Sequence, residues 1–431
     1  MEKTLRLICL AALMIALATG CNDTLRQFIV PIPQPGGDNA SPAQAIVLST
    51  NPVSGANGSD LHIDVSGDTV VGVVNTGPDP RFMVKSSNKV FILNGDNTIT
   101  TYLALLPLST TPPPQIITQP GNVSGAIGGG FSSVGNVYVT NSGSGNASTI
   151  LGGGNAITQL VGVGTEPVAV AGNARNTKVY VVNHGSNSVT PISTVDNTVL
   201  PAITVGTAPI WAVMSADGVH VFVVNQGSNN VSVIDTLLDQ VIATVPVGIS
   251  PNYAVYESKL QRLYVSNSGS NNVSVIDASR IDLAAVPQLL PKNIGDVAVS
   301  ATPTSVAALA DGTRVYAALG NCPAGINQTT IIAAATSGAC TGNSVSVIDV
   351  ASLKEKKVIP AGSGTVSIDA AGDSSRVYVV NANDRSVSII KTVSDTVTST
   401  IPAPQQSLGC ANPAACPQNA AQVPFLVRAF P

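Results

Sequence analysis

The sequence predicts an all-β chain, a β-propeller of four-stranded antiparallel blades, on three observations. One phrase returns about every 42 residues, a period that belongs to propellers or solenoids. Apolar residues alternate with small polar ones throughout, with no 3.6-residue period to suggest helices. The hydrophobic fraction of 44% is carried by Val, Ala and Ile, while 39 Gly and 29 Pro supply chain reversals. At 431 residues the chain is too long for one ordinary core, so an architecture that grows by repetition is favoured.

The recurring phrase is Val-Tyr-Val-x-Asn, a Gly/Ser/Asn turn, then Val-Ser-Val-Ile-Asp. The clearest copy runs Val221-Phe222-Val223-Val224-Asn225, Gln226 to Asn230, then Val231-Ser232-Val233-Ile234-Asp235. The next is nearly identical from Leu263 to Asp277. Looser copies begin at Val90, Val137, Val179, Val315 and Val377, and a weaker one lies at Ile46 to Asn51. In the best unit four strands are expected, at Ile210–Met214, His220–Val224, Val231–Ile234 and Gln240–Val245. The first reversal is Ala216-Asp217-Gly218, where Gly takes positive φ at no steric cost.

Such a sheet cannot bury both faces alone, and radial packing about an axis does so while leaving only short edges. The N-terminal section supplies a second, third and fourth strand (Ile46–Asn51, Leu61–Val65, Thr69–Val74) without a first. Val423–Phe430 reads as a lone first strand. The two ends are therefore expected to complete one blade and close a ring of eight, with seven as the alternative.

Val-Tyr-Val-x-Asn with Asn-Asn-Val-Ser-Val-Ile-Asp resembles the YVTN family of propeller repeats, over roughly residues 42–431. Leu319 departs from it at the anchor Asn, and the unit at 94–141 is irregular. The resemblance implies a cell-envelope or surface-layer role. The repeat is also similar to parts of lactonase-like propellers.

Residues 1–20 carry Lys3 and Arg6, an apolar run from Leu7 to Leu17, and Ala18-Thr19-Gly20 before Cys21. The run is short of the roughly 20 residues needed to span a bilayer, so it reads as an export signal. A small residue followed by Cys resembles the lipobox of bacterial lipoproteins, with Ala18 where Leu is usual. This implies lipidation of Cys21 and membrane attachment through the acyl chains. Asn22 in place of Asp favours the outer membrane or cell surface over the inner membrane. Residues 21–41, with Pro31-Ile32-Pro33-Gln34-Pro35-Gly36-Gly37, form a semi-stiff tether, and 42–431 the propeller.

Chemistry is sparse. With 20 Lys and Arg against 24 Asp and Glu, no basic field exists for nucleic acid. His62, His184 and His220 lack metal-ligand spacing, there is no Cys-x-x-Cys-His and no Gly-x-Ser-x-Gly elbow, so no metal, cofactor or catalytic residue is assigned. Asn94, Asn141, Asn183, Asn225, Asn267 and Asn381 read as turn formers that bond their own backbone, and Asp235, Asp277 and Asp349 likewise. Trp211 should face the axis or the neighbouring blade. Glu166 lies where acidic residues of lactonase-like propellers approach the channel. Cys322, Cys340, Cys410 and Cys416 are expected to pair locally in an exported chain. The segments 322–340 and 410–416 interrupt the repeat where second-to-third and fourth-to-first loops emerge, on one face. Ile281 to Ser300 is another lengthened connection, and Pro52 to Ser59 another loop on that face. Rigid scaffolds place recognition on such loops. The expected function is a non-enzymatic, monomeric envelope scaffold that binds a protein, glycan or cell-wall partner through that face. The alternative is a lactonase-like hydrolase or isomerase acting at the central channel.

Overall fold

A computed structural model describes residues 44–51, 55–86, 88–104, 113–132, 135–152, 154–173, 175–323, 330–404 and 422–430. Eight four-stranded sheets are present, every pairing antiparallel, and the only helix among the described residues is Ile331–Thr336. Seven blades are continuous: blade 2 (82–118), blade 3 (126–162), blade 4 (167–204), blade 5 (209–246), blade 6 (251–298), blade 7 (303–360) and blade 8 (365–402). Blade 1 is built from both chain ends. Val423–Phe430 pairs with Gln44–Thr50, which pairs with Asn57–Asp64, which pairs with Thr69–Pro78. The structure settles the count at eight.

First strands contact first strands of the next blade, so they line the axis and the fourth strands form the outer wall. Because strands alternate in direction, second-to-third and fourth-to-first connections share one face, here the front. First-to-second and third-to-fourth connections share the back.

The repeated phrase is the inter-blade core. Tyr138, Tyr180, Tyr264, Tyr316, Tyr378, Phe91 and Phe222 are fully buried. Three of the Tyr hydroxyls reach across the seam to the next blade's third-to-fourth turn. Tyr138 donates to Asn197 Oδ1 (2.6 Å), Tyr180 to Asp239 Oδ1 (2.7 Å) and Tyr316 to Asp395 Oδ1 (2.5 Å). Those acceptors sit at positive φ, which Asn and Asp tolerate. A cation two residues before the Tyr joins them, as Lys178 on Asp239 (2.5 Å) and Arg314 on Asp395 (2.6 Å). Arg376 of blade 8 does the same to Asp68 of blade 1 (2.9 Å), across the closure.

The anchor asparagines differ from the sequence expectation. They are fully buried rather than turn residues bonding their own backbone. Asn225 Nδ2 donates to Asn230 Oδ1 (2.8 Å) and Ser232 Oγ (2.9 Å), clamping the second strand to the third. Asn141, Asn183, Asn267 and Asn381 repeat this five and seven residues on, and Asn94 four and six on. A side chain that satisfies two third-strand hydroxyls or amides in the core stabilises the hairpin more than a solvated turn would. Four of these clamps are covered by a glycine in the connection from the preceding blade. A Cβ at Gly206 would lie 2.7 Å from Asn225 Cγ, and Gly164, Gly248 and Gly362 stand likewise over Asn183, Asn267 and Asn381.

Asp235, Asp277 and Asp349 do close turns. Each accepts backbone N–H groups two or three residues on, at Leu237 and Leu238, at Ser279, and at Ser352.

Candidate functional site: the axial channel and the two faces

Register puts one residue of each continuous blade's first strand at the same height, opposite the residue preceding the anchor. These are Phe82, Gly128, Ala169, Trp211, Tyr253, Ser305 and Ser367. Trp211 is the largest and reaches across the axis. Its ring lies 6.3 Å from Phe82, three blades away, and 5.0 Å from Tyr253, and its Nε1 donates to Ala254 O (3.1 Å). It touches four of the hydrophobic clusters between blades. Trp211 thus faces the axis and fills it at this level.

Two residues further along each strand the corresponding positions are Val84, Gly130, Ala171, Val213, Val255, Ala307 and Asp369. Asp369 is the single acid of an otherwise apolar layer, on the back side of Trp211. Its carboxylate accepts from the N–H of Ala429 (2.9 Å) and Ala370 (3.0 Å). Burial pushes its carboxyl above the usual carboxylate range, and the Arg428 charge with those N–H groups opposes the rise. Arg428, on the closing strand, lies with its guanidinium 5.8 Å from the centre of the Tyr253 ring. Its Nη1 donates to Val427 O (3.0 Å), while its Nη2 is buried without a partner. Asp369 and Arg428 thus bring a carboxylate and a guanidinium into the channel. Sequence inspection missed both, although an acid ending Thr-Val-Ser-Ile-Asp in an inner strand was a signal.

Glu166 stands at the front mouth, at φ 50°, just before its inner strand. His184 Nδ1 lies 3.1 Å from its Oε2, but the side chains are 38% and 61% exposed, so water screens the pair. His62 lies elsewhere, fully buried at the seam of blades 1 and 2. Gln44 Nε2 donates to Ala104 O (2.7 Å), which turns its Oε1 toward His62 Nδ1 (2.8 Å). His62 Nε2 lies 2.9 Å from Tyr102 Oη, and Tyr102 donates to the Asp60 carboxylate. Burial, with the Asp60 charge and hydrogen bond, holds the Tyr102 hydroxyl well above the usual tyrosine range. Gln44, Asp60 and His62 have no exposed surface, so this network holds the seam rather than meeting a ligand. Among the described residues no group of three His, Cys, Asp or Glu is placed to hold a metal.

The front face carries the built insertion. Cys322 and Cys340 form a disulfide between the second and third strands of blade 7. It ties the hairpin just beyond Leu319, where the Asn clamp is missing. Ile331, Ala334 and Ala335 of the helix pack in the same cluster as Val423 and Phe425 of the closing strand, and Asn383 Nδ2 donates to Cys340 O (2.8 Å). Gly55 and Ala56, described in part of the Pro52–Ser59 loop, also lie on the front. Ile281–Pro291 does not. It joins the third strand Asn272–Asp277 to the fourth, Lys292–Ala298, so it stands on the back, because the repeat's fourth strand begins inside the stretch taken as one long loop. Cys21, Cys410, Cys416 and residues 1–41 lie outside the described residues. An open cleft of about 570 Å³ on the outer wall, between Pro246 and Lys292, has its amide and carboxylate already engaged: Asn293 Nδ2 donates to Asp296 Oδ1 (2.9 Å), which also accepts from Ser274 (2.6 Å).

With this geometry in hand the likeness to solved structures is direct. Over 84% of its length the chain superposes on 74% of a dihydro-heme d1 dehydrogenase NirN in complex with DHE, with TM-score 0.64 and 13% identity. Over 90% of its length it superposes on 99% of apo AztD from Citrobacter koseri, with TM-score 0.56 and 11% identity. The protein is an eight-bladed β-propeller. At these identities the likeness shows the fold alone. No protein-family model and no curated protein matches the chain.

Proposed function

We propose that this propeller is a non-enzymatic cell-envelope lipoprotein, tethered through acylated Cys21, that holds a protein, glycan or cell-wall partner on its front face. The observation that carries the reading is the blade 7 insertion. Its described residues, 322–323 and 330–340, are tied by a disulfide, share a core with the ring-closing strand and are held by Asn383, which supports a preorganised surface there. Acidic side chains dominate the connections of that face, with Asp79, Asp96, Glu166 and Asp384 against Arg81 and Arg385.

The test is affinity capture from envelope extracts with the mature chain carrying Cys21→Ser, beside the same chain with 323–339 replaced by a short Gly-Ser link. A partner retained by the first and lost by the second supports the front face. Equal retention defeats it. Mass spectrometry of the N-terminal peptide from cells tests the acyl group.

The Asp369 and Arg428 pair favours one second reading, a lactone-like or other small anionic substrate handled in the channel. Asp369→Asn would then abolish turnover of a lactone panel, whereas the scaffold reading expects no turnover from either form.

A further inference from the structure

In blades 2 to 6 and in blade 8 the second and third strands are joined by a tight turn, as from Asn225 to Asn230. In blade 7 the second strand ends at Leu319 and the third begins at Ser344. The stem of this insertion is built in three steps outward from the sheet. Gly342 N–H donates to Gly320 O (2.7 Å), Asn321 Nδ2 donates to Thr341 Oγ1 (3.0 Å), and Cys322 is bonded to Cys340. The stem then leans on blade 8, where Gly342 O accepts from the N–H groups of Gly364 (2.8 Å) and Thr365 (3.1 Å) and Asn383 holds Cys340 O. Past blade 8, the helix Ile331–Thr336 meets the closing strand of blade 1. Its buried Ile331, Ala334 and Ala335 share one cluster with Val423 and Phe425.

The insertion therefore starts in blade 7, rests on blade 8 and ends on blade 1. The strand it reaches, Val423–Phe430, is the one first strand separated in sequence from the rest of its sheet. A six-residue helix does not hold its shape alone, and Leu319 offers no Asn clamp at the base of the hairpin. Closing the stem with a covalent bond removes the freedom the insertion would otherwise have and keeps the helix against the strand.

We infer that the blade 7 insertion is a clasp on ring closure whose grip is set by the Cys322–Cys340 bond. Oxidised, it holds the front end of Val423–Phe430 in blade 1; reduced, it lets that end open. The inference goes beyond the partner-binding reading and stands without it. Locking is a two-electron oxidation by a small-molecule or protein disulfide. One thiolate of the pair displaces a sulfur of the oxidant to form a mixed disulfide, the second displaces the oxidant from it, and the oxidant leaves as two thiols that carry away the two electrons and two protons. Cys322 is 6% exposed and Cys340 fully buried, so a reductant reaches the bond only when the clasp lifts. Bond and packing thus protect each other, and the coupling is reciprocal.

The test is hydrogen exchange, read by mass spectrometry on the mature chain carrying Cys21→Ser, with and without Cys322→Ser/Cys340→Ser. Peptides covering 423–427 and their partner strand 44–50 should exchange about tenfold or more faster in the chain without the bond, while those of blade 5 are unchanged. Faster exchange confined to 319–344, or no change, overturns the inference. Ile331→Asp, which leaves both cysteines in place, separates the clasp from the bond. With the Cys322–Cys340 peptide pair shown to be joined, the closing strand should again exchange faster, and dithiothreitol should reduce that bond faster than in the parent. A closing strand as protected as the parent's, or an unchanged rate of reduction, contradicts the clasp. Should the double serine variant fail to give a monomer, Ile331→Asp decides the question by itself.

Discussion

Blade 5 and blade 1 make the same four-stranded sheet by different means. Blade 5 is one continuous stretch in which Asn225 clamps the second strand to the third and Asp239 takes a Tyr and a Lys from the blade before it. Blade 1 draws its first strand from the far end of the chain. Its seam with blade 2 is held by the buried Gln44, His62, Tyr102 and Asp60 network, and Ser59 donates to Gln422 where the two ends meet. The repeat solves packing locally. The closing blade has no local solution, because the strand it lacks is more than 350 residues away in sequence, and buried hydrogen bonds that fit only one arrangement fix the register there.

The largest effect should come from denying blade 1 its first strand. Val427 is fully buried opposite Val47, so Val427→Asp places a carboxylate in the core at a cost of several kcal/mol. The expected result is loss of a compact monomer by gel filtration, whereas a charge on the exposed blade 5 turn, Leu237→Asp, should leave the monomer intact.

Breaking the repeat itself should cost less. Gly206→Ala drives a Cβ against Asn225, and overpacking of this kind costs about 1 to 3 kcal/mol, read as a fall in the denaturation midpoint. At the seam, Tyr102→Phe removes the donor to buried Asp60 and should cost about 2 kcal/mol without altering blade 5, which hydrogen exchange resolves blade by blade.

The smallest effect is electrostatic. Burial raises the Asp395 carboxyl, but hydrogen bonds from Tyr316 and Lys356 and the Arg314 charge outweigh it and hold it below the usual carboxylate range. Because the folded value is depressed, the stabilisation is present above pH 4 or so and is lost as pH falls through the folded value. Asp395→Asn should therefore lower stability by about 1 kcal/mol near neutrality, with the gap to the parent closing below pH 4.

The legibility of the sequence divides along the same line. Strand positions in blade 5 were readable because Asp217-Gly218 and the Val-x-Val alternation specify them locally, and the pairing of Val423–Phe430 with the N-terminal strands followed from counting missing strands. The asparagines were misread because a short polar residue at a strand end has the same signature whether its amide faces water or a buried neighbour. Only the glycine that precedes several of the units, as at Gly164, Gly206 and Gly248, hinted that something closely packed stood there. The back-face placement of Ile281–Pro291 was missed because a strand as polar as Lys292–Ala298 shows weak alternation. Asp369 and Arg428, and likewise the members of the His62 network, come from different blades up to 60 residues apart, and a contact across a blade seam or the axis is encoded by no local pattern.

The most direct test of the account is a covalent one. Ala45 and Ala429 face each other in register, so Ala45→Cys/Ala429→Cys should form a disulfide within a single chain, found by mass spectrometry in the monomer fraction and accompanied by a raised melting temperature. Absence of that link, or its appearance only between two chains, would contradict a ring closed by its own two ends.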